Sequence, residues 1–272
     1  MSDAARGERI QKVMAGAGLG SRRKIEAAIE RGEIEVDGQQ ARLGQSLQEG
    51  QVVTFGNRRF EVETAPRSTR VLMLNKREGV VCTRGDPEGR PTVFQGLPQL
   101  KGERWIAIGR LDINTTGLLL LTNDGELANT MMHPSNGVDR EYACRVHGEV
   151  TDEMINNLLA GVTLEDGVAC FSDVVRSGGD GENEWFHVAL LEGRNREVRR
   201  LWQSQGVTVS RLKRVRYGAV FLPSRLKVGH REELKPRDIR ILRQDVGLPA
   251  RPAPTLRLKG LRPMRRRPSG RR

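Results

Sequence analysis

One acidic side chain, Asp112, lies in a setting that an enzyme could use. It belongs to the polar segment 109–117, which separates the apolar runs 105–108 and 118–121. Both runs have the length of buried strands, so we expect the carboxylate on a short loop held by a rigid scaffold. Catalytic groups are often presented in this way. Aspartate is also a common turn residue, and the segment taken alone favours an Asp112 that only caps a turn.

The same loop contains part of a calcium-binding pattern. Asp112, Asn114 and Gly117 match the beginning of an EF-hand loop, whose final position requires a bidentate Glu. That position holds Asn123, so calcium is not expected. Asn123 or the following Asp124 is instead predicted to cap a helix through a side-chain oxygen.

A second group of candidate residues lies in the arginine-rich segment 191–202. Its apolar residues recur at helical spacing: Val198, Leu201 and Trp202. Asn195 is the expected N-cap of this helix. Four guanidinium groups lie outside the apolar face: Arg194, Arg196, Arg199 and Arg200. Four arginines in so short a segment are more than a helix needs to be soluble, although surface helices do carry such runs. Phosphate oxygens are natural partners for arginine side chains.

Residues 7–63 are predicted to form a small domain in which Ser21 caps a helix. That helix begins with Arg22, Arg23 and Lys24, at the end where the helix dipole disfavours positive charge. A phosphate bound there, shared between backbone N–H groups and these side chains, would account for them. The alternative is a solvated run of charges.

After a predicted linker at 64–69, a larger domain is expected at 70–246. Strand and helix patterns mix there without a regular β-α-β repeat, which favours an α+β fold with a mixed, mostly antiparallel sheet flanked by helices. One predicted strand, 207–220, carries Arg211 and Lys213 on a cationic face.

The charge of the chain indicates a polyanionic partner. The net charge is +12, and nine basic residues lie in 249–272, which contains no acid, so residues 1–248 carry only +3. The Pro- and Arg-rich segment 247–272 is predicted to be disordered and to bind nucleic-acid phosphates nonspecifically. A binding site on the rest of the chain must therefore be a local patch.

Other classes of protein are disfavoured by composition. The three cysteines and four histidines have no disulfide or metal-ligand spacing, and no phosphate-binding or dinucleotide motif is present. No apolar run approaches the length of a membrane span, and the N-terminus has no signal-peptide core. We therefore expect a cytoplasmic protein that uses no metal and no cofactor.

Several segments together resemble known families. The segment RIQKVMAGAGLGSRRKIEAAIERGEIEVDGQ resembles the S4 RNA-binding domain, a small αL-type fold. Behind it, the blocks GRLDINTTGLLLLTNDGELANTMMHP, REYACRV, EGRNREVRRLW and SRLKRVRYGAVFLP resemble the RsuA family of pseudouridine synthases, and within it the members that act on the large ribosomal subunit. The resemblance runs from about residue 7 to about residue 245.

This resemblance implies an isomerase that detaches uracil from its ribose, turns it and rejoins it through C5, which requires a flipped nucleotide. The family's essential aspartate corresponds to Asp112, its arginine partner to Arg199, its stacking aromatic to Tyr142 and its apolar pocket wall to Val198. An ion pair with Arg199 would keep Asp112 ionised. Arg196 and Arg200 are competing candidates for that role, and Arg110 could either support the loop or hold RNA.

The implied partner is 23S rRNA or an assembly intermediate of the large subunit, bound by a monomer. Two other hypotheses remain open at this point. One is the same chemistry on small-subunit rRNA, and the other is a non-catalytic rRNA-binding assembly factor. The order of the chemical steps also stays open, since attack at C6, attack at C1′ and removal of the 2′ proton all need the same carboxylate.

Overall fold

The computed structural model describes residues 7–180 and 182–261. These residues form two compact units. One comprises residues 7–68, 98–104 and 252–261, and the other comprises 69–97 and 105–251. Within the described ranges, no helix combines the length and apolar character needed to cross a membrane.

The N-terminal part of the first unit contains two helices and six short strands. They are β1 (Glu8–Arg9), α1 (Ile10–Gly16), α2 (Arg22–Glu30), β2 (Ile34–Val36), β3 (Gln39–Gln40), β4 (Ser46–Leu47), β5 (Val52–Phe55) and β6 (Arg58–Ala65). Ser21 caps α2 as predicted, because its Oγ accepts a hydrogen bond from the Lys24 N–H at 3.2 Å. Ile10, Ile25 and Phe60 are buried in the core of this unit, which joins both helices to the strands.

The second unit is built on one large sheet with helices. Its elements are β7 (Val71–Lys76), β8 (Ile106–Ile108), β9 (Thr116–Thr122), α3 (Gly125–Met132), β10 (Arg140–His147), α4 (Asp152–Ala160), β11 (Val162–Leu164), β12 (Gly167–Ala169), β13 (Asp173–Asp180), β14 (Asn183–Leu190), α5 (Glu197–Ser204), β15 (Thr208–Tyr217), β16 (Val220–Phe221), β17 (Arg231–Glu233) and α6 (Pro236–Asp245). The main strand order is β13-β14-β10-β15-β9-β7-β17. β15 and β9 run parallel, whereas the neighbouring pairs in this order run antiparallel. The predicted α+β fold with a mixed, mostly antiparallel sheet is confirmed.

Strand β9 anchors the segment that contains Asp112. Its residues Leu118 to Leu121 are all fully buried, as expected for a strand covered on both faces. Leu118 and Leu120 pack in one cluster with residues of α3 and α6. Asp124 caps α3 by accepting hydrogen bonds from the N–H groups of Glu126 and Leu127, one of the two caps predicted. The loop before β9 is therefore attached to a rigid, buried strand.

The prediction of disorder for 247–272 is wrong for part of that segment. A further strand, β18 (Thr255–Gly260), pairs antiparallel with β6 and completes the sheet of the first unit. Leu256 and Leu258 enter its core, and Glu8 Oε1 accepts hydrogen bonds from Thr255 Oγ1 and the Leu256 N–H. The alternation of leucine with basic residues is a strand signal that the proline and arginine content obscured. Residues 262–272 lie outside the described part of the chain.

The predicted boundaries shift in two further places. Strand β6 continues to Ala65, so the first two residues of the predicted linker 64–69 belong to the sheet. Residues 98–104, predicted as part of the larger domain, belong to the first compact unit. Both differences arise from contacts with distant parts of the chain, which local patterns do not encode.

Candidate active site

A cavity of about 620 Å³ lies in the second unit. Three of the four residues assigned to catalysis from the resemblance line it: Asp112, Tyr142 and Val198. Three of the arginines expected to bind RNA also line it: Arg110, Arg194 and Arg196. The fourth assigned residue, Arg199, is not among its lining residues. The cavity thus brings together an acid, an aromatic ring and an apolar wall from three separate elements.

The loop that carries Asp112 is held in place by the buried ammonium group of Lys76. Lys76, at the end of β7, is 1% exposed, and its Nζ donates to the carbonyl oxygens of Asp112 (3.0 Å), Ile113 (3.3 Å) and Thr115 (2.8 Å). Burial lowers the pKa of Lys76, while nearby acidic groups including Asp112 oppose that shift. A lysine at the end of a buried strand was the sequence signal for this role, which was not predicted.

The Asp112 side chain itself is half-buried at the cavity wall. Its backbone carbonyl accepts a hydrogen bond from the Thr115 N–H at 3.0 Å, which closes a tight turn. Within the described residues its carboxylate makes no ion pair within 4.0 Å. The oxygens are therefore available to a molecule that enters the cavity.

The predicted ion pair between Asp112 and Arg199 is not formed, and this prediction needs correction. Arg199 Nη1 donates to the Val209 carbonyl at 2.7 Å, and Nη2 donates to the Asn114 carbonyl at 3.2 Å. Burial lowers the pKa of Arg199, the charge of Arg196 lowers it further, and the charge of Asp112 opposes both. Arg199 therefore supports the loop of Asp112 through its backbone and acts on the carboxylate only at longer range.

Tyr142 and Val198 reach the cavity from two different elements, a strand and a helix. Tyr142 lies on β10, 9% exposed, and its Cα partner on the adjacent strand β15 is Arg214. Val198 lies in the first turn of α5. The N-cap position before this helix is held by Arg196, which has a left-handed conformation (φ 51°) and makes no side-chain cap hydrogen bond, so the predicted cap at Asn195 is wrong. A non-glycine residue in this region is uncommon and often marks a functional site.

Two buried arginines and a tyrosine in the cavity wall were not predicted. Arg140 and Arg214 are 6% and 2% exposed, and their guanidinium carbons lie 4.9 and 4.8 Å from the centre of the Tyr217 ring. Arg214 is carried on β15 where this strand meets β9 at Gly117. A Cβ on Gly117 would lie 2.2 Å from the Arg214 carbonyl oxygen, and its φ of +99° also favours glycine. The close approach of β9 and β15 thus sets the position of Arg214.

A second acid, Glu197, is buried at the cavity wall. It is 3% exposed, and desolvation raises its pKa to about 7, helped by the charge of Glu192 and opposed by the hydrogen bond from the Arg194 N–H. That bond measures 2.9 Å, and it ties the segment before α5 to the helix. Glu197 is therefore a proton-binding group near neutral pH beside the cavity.

The predicted RNA-binding residues of this unit divide into two groups. Arg200 is bound to both oxygens of Asp166 at 2.7 and 2.9 Å, and Arg194 is bound to Glu192 and to two backbone carbonyls. These two arginines brace the fold. The others make no ion pair within the described residues: Arg110, Arg196, Arg211 and Lys213.

The remaining three predicted RNA-binding residues lie in the first unit. Arg22, Arg23 and Lys24 are exposed on the first turn of α2, which contains no acidic residue. None of them forms an ion pair in the described part of the chain. Their charges and the free N–H groups of the helix end are thus directed to solvent.

Comparison with known proteins connects this geometry to a family. A family model described as RNA pseudouridylate synthase matches residues 70–204, and the S4 domain model matches residues 8–53. A Pseudomonas aeruginosa protein named ribosomal large subunit pseudouridine synthase B is 58% identical over 89% of this chain, and the chain spans 63% of that protein's length. A Shigella flexneri protein of the same name is 54% identical over 89% of this chain and 84% of its own.

A solved structure shares the fold. It is described as the crystal structure of a pseudouridylate synthase and covers 86% of this chain and 99% of its own, with a TM-score of 0.59 at 24% identity. The resemblance inferred from the sequence is confirmed. This chain belongs to the RNA pseudouridylate synthase family and carries an S4 domain in its N-terminal part.

Proposed function

We propose that this protein is an isomerase that converts a uridine of large-subunit (23S) ribosomal RNA to pseudouridine. The observation that carries the proposal is the Asp112 carboxylate, which lines a cavity together with Tyr142 and Val198 and forms no ion pair with any residue that the structure describes. The names of two relatives at 58% and 54% identity support the choice of large-subunit RNA.

The chemistry follows from the position of the carboxylate. The bond between uracil and ribose is not accessible inside a stacked RNA helix. The nucleotide must therefore leave the stack before Asp112 can reach this bond. Tyr142 offers the extruded base a ring on which to stack, and Val198 bounds the pocket with an apolar surface. The carboxylate then acts at C6, at C1′ or on the 2′ proton, and in each case it must be ionised.

RNA is held by basic residues that form no ion pair with the residues described in the structure. Arg110 and Arg196 lie at the cavity, and Arg211 and Lys213 extend along β15. Arg22, Arg23 and Lys24 at the start of α2 add a phosphate-binding site of the S4 domain. Arg194 and Arg200 are left out of this set, because their guanidinium groups are already bound to acids. The catalytic cavity is lined by residues of one compact unit, and we propose a monomer as the active form.

The proposal is tested by mapping pseudouridine in ribosomal RNA from a strain that lacks this protein. We expect one site to disappear from 23S rRNA and to return when the wild-type protein is supplied. A site missing only from small-subunit RNA would contradict the assigned target. An unchanged map would favour a non-catalytic RNA-binding protein. The purified enzyme, offered free 23S rRNA and large-subunit assembly intermediates separately, will show which of the two it modifies.

A further inference from the structure

The five arginines that line the cavity are not equivalent. Arg110 and Arg196 face solvent. Arg194 is held by Glu192 and backbone carbonyls. Arg140 is buried, and its two terminal nitrogens donate to four oxygens, those of Val138, Leu191, Met131 and the Tyr217 hydroxyl. Arg214 differs from the other four, because its buried Nη2 has no hydrogen-bond partner in the described part of the chain.

The rest of the Arg214 side chain is firmly held. Nε donates to the Leu118 carbonyl at 2.8 Å, at the strand that follows the Asp112 loop. The guanidinium group lies against the Tyr217 ring, and Nη1 lies beside Gly109, where a Cβ would be 4.0 Å away. A buried donor without an acceptor destabilises the fold. A fixed guanidinium whose Nη2 hydrogens have no acceptor is suited to bind a developing negative charge.

Arg214 is also better placed for this purpose than Arg199. Arg199 donates from both terminal nitrogens to backbone carbonyls and does not line the cavity. Arg214 does line it, and it is the cross-strand partner of Tyr142, so both side chains project from the same face of the sheet. Of these two arginines, Arg214 is the one that lines the cavity.

We propose that Arg214 is a catalytic residue that donates from Nη2 to an oxygen of the uracil ring while the ring carries negative charge. The proposal rests on the function proposed above. When the N1–C1′ bond breaks, the bonding electron pair leaves with N1, and the charge spreads onto the ring oxygens O2 and O4. The ribose is held meanwhile as an ester of Asp112, or as a glycal whose 2′ proton Asp112 has taken and later returns. C5 then bonds to C1′, C5 loses a proton and N1 gains one, so substrate and product are isomers.

The test compares single-turnover rates of Arg214→Met and Arg214→Lys with the wild type, at saturating RNA. Loss of one such donor typically slows a reaction by about 100- to 1,000-fold, and we expect a loss of this size with RNA affinity retained. Arg216→Met is the matched control. Arg216 lies two residues further along β15, where its guanidinium is bound to Glu141 and Asp139 rather than to the cavity, so its rate should match the wild type.

A second substrate separates catalysis from folding. The reaction of RNA with 5-fluorouridine at the target is followed by the loss of its 5-fluorouridine, because C5 carries fluorine, has no proton to lose and cannot give pseudouridine. Its more acidic ring needs less help to hold negative charge while the N1–C1′ bond breaks. The defect of the Arg214 variants should therefore be clearly smaller with this RNA, and guanidinium ion should partly restore Arg214→Ala. A folded Arg214→Met enzyme with the wild-type rate, or a defect equal for both RNAs, would overturn the proposal. If Arg214→Met does not fold, Arg214→Lys gives the same comparison. If the wild type forms no pseudouridine, the proposed function fails instead.

Discussion

Replacing Leu256 and Leu258 with alanine should destabilise the first unit, although these residues lie near the end of a chain whose N-terminal segment forms most of that unit. Both side chains are 8% exposed and pack in the core that contains Ile10 and Phe60. A buried Leu→Ala substitution costs about 2–5 kcal/mol. Taking the low end for an edge strand, the pair costs about 4 kcal/mol, a large part of the roughly 5–15 kcal/mol that stabilises a typical domain.

Hydrogen exchange with peptide-level mass spectrometry measures this loss directly. A change of about 4 kcal/mol raises the opening equilibrium roughly a thousandfold, so the amides of β5 and β6 should exchange faster by up to that factor. The amides of β9 and β10 belong to the other unit and serve as an internal reference. Arg257→Ala with Lys259→Ala is the control on the same strand. These side chains are 58% and 61% exposed, and surface ion pairs contribute about 0–1 kcal/mol.

The reasoning would be refuted if exchange in β6 stayed at the wild-type rate in the double leucine variant, or if the charge variant had the same effect. Two deletions extend the test. Removing 262–272 leaves β18 in place, whereas removing 252–272 takes the strand away. Only the longer deletion should accelerate exchange in β6.

Three further outcomes are expected. Deleting 262–272, which removes six arginines, should weaken RNA binding and reduce its salt dependence without ending turnover; unchanged affinity at every salt concentration would count against a role of this segment in binding. Lys76→Met should lower the free energy of unfolding by about 1–3 kcal/mol, because the Thr115 carbonyl loses its buried donor, and a denaturant titration with an unchanged midpoint would contradict it. Glu197→Gln should raise stability at pH 8 by at most about 3 kcal/mol. Since the pKa of Glu197 is about 7 in the folded protein against an ordinary value of 4.5, the native state binds more protons between these values, and wild-type stability falls as pH rises through this window; an equally steep fall in the variant would disprove the assignment.

Features set by local sequence were predictable. Ser21 caps α2 and Asp124 caps α3. Each has a short polar side chain just before a helix, where its oxygen accepts hydrogen bonds from the free backbone N–H groups of the first turn. The strands on either side of Asp112 were visible as apolar runs. The position of Asp112 on a loop between two strands followed from those runs, while its catalytic role rested on the family resemblance.

Features set by distant contacts were not predictable in the same way. The pairing of β18 with β6 joins residues almost two hundred positions apart, and the composition of the tail pointed to disorder. Arg214 lies on the opposite face of β15 from Arg211 and Lys213 and is buried beside Leu212, and a local pattern does not show that this face forms a cavity wall. Arg199 donates its hydrogen bonds to backbone carbonyls. Since every residue has a backbone carbonyl, the sequence does not show which of them an arginine will contact.

The central claim is that the Asp112 carboxylate carries the reaction, and one substitution tests it most directly. Asp112→Asn keeps the size of the side chain and removes its charge. Single-turnover conversion of uridine in 23S rRNA, measured beside RNA affinity, should show no pseudouridine from a variant that still binds RNA like the wild type. An Asp112→Asn enzyme that converts uridine at the wild-type rate would contradict the account.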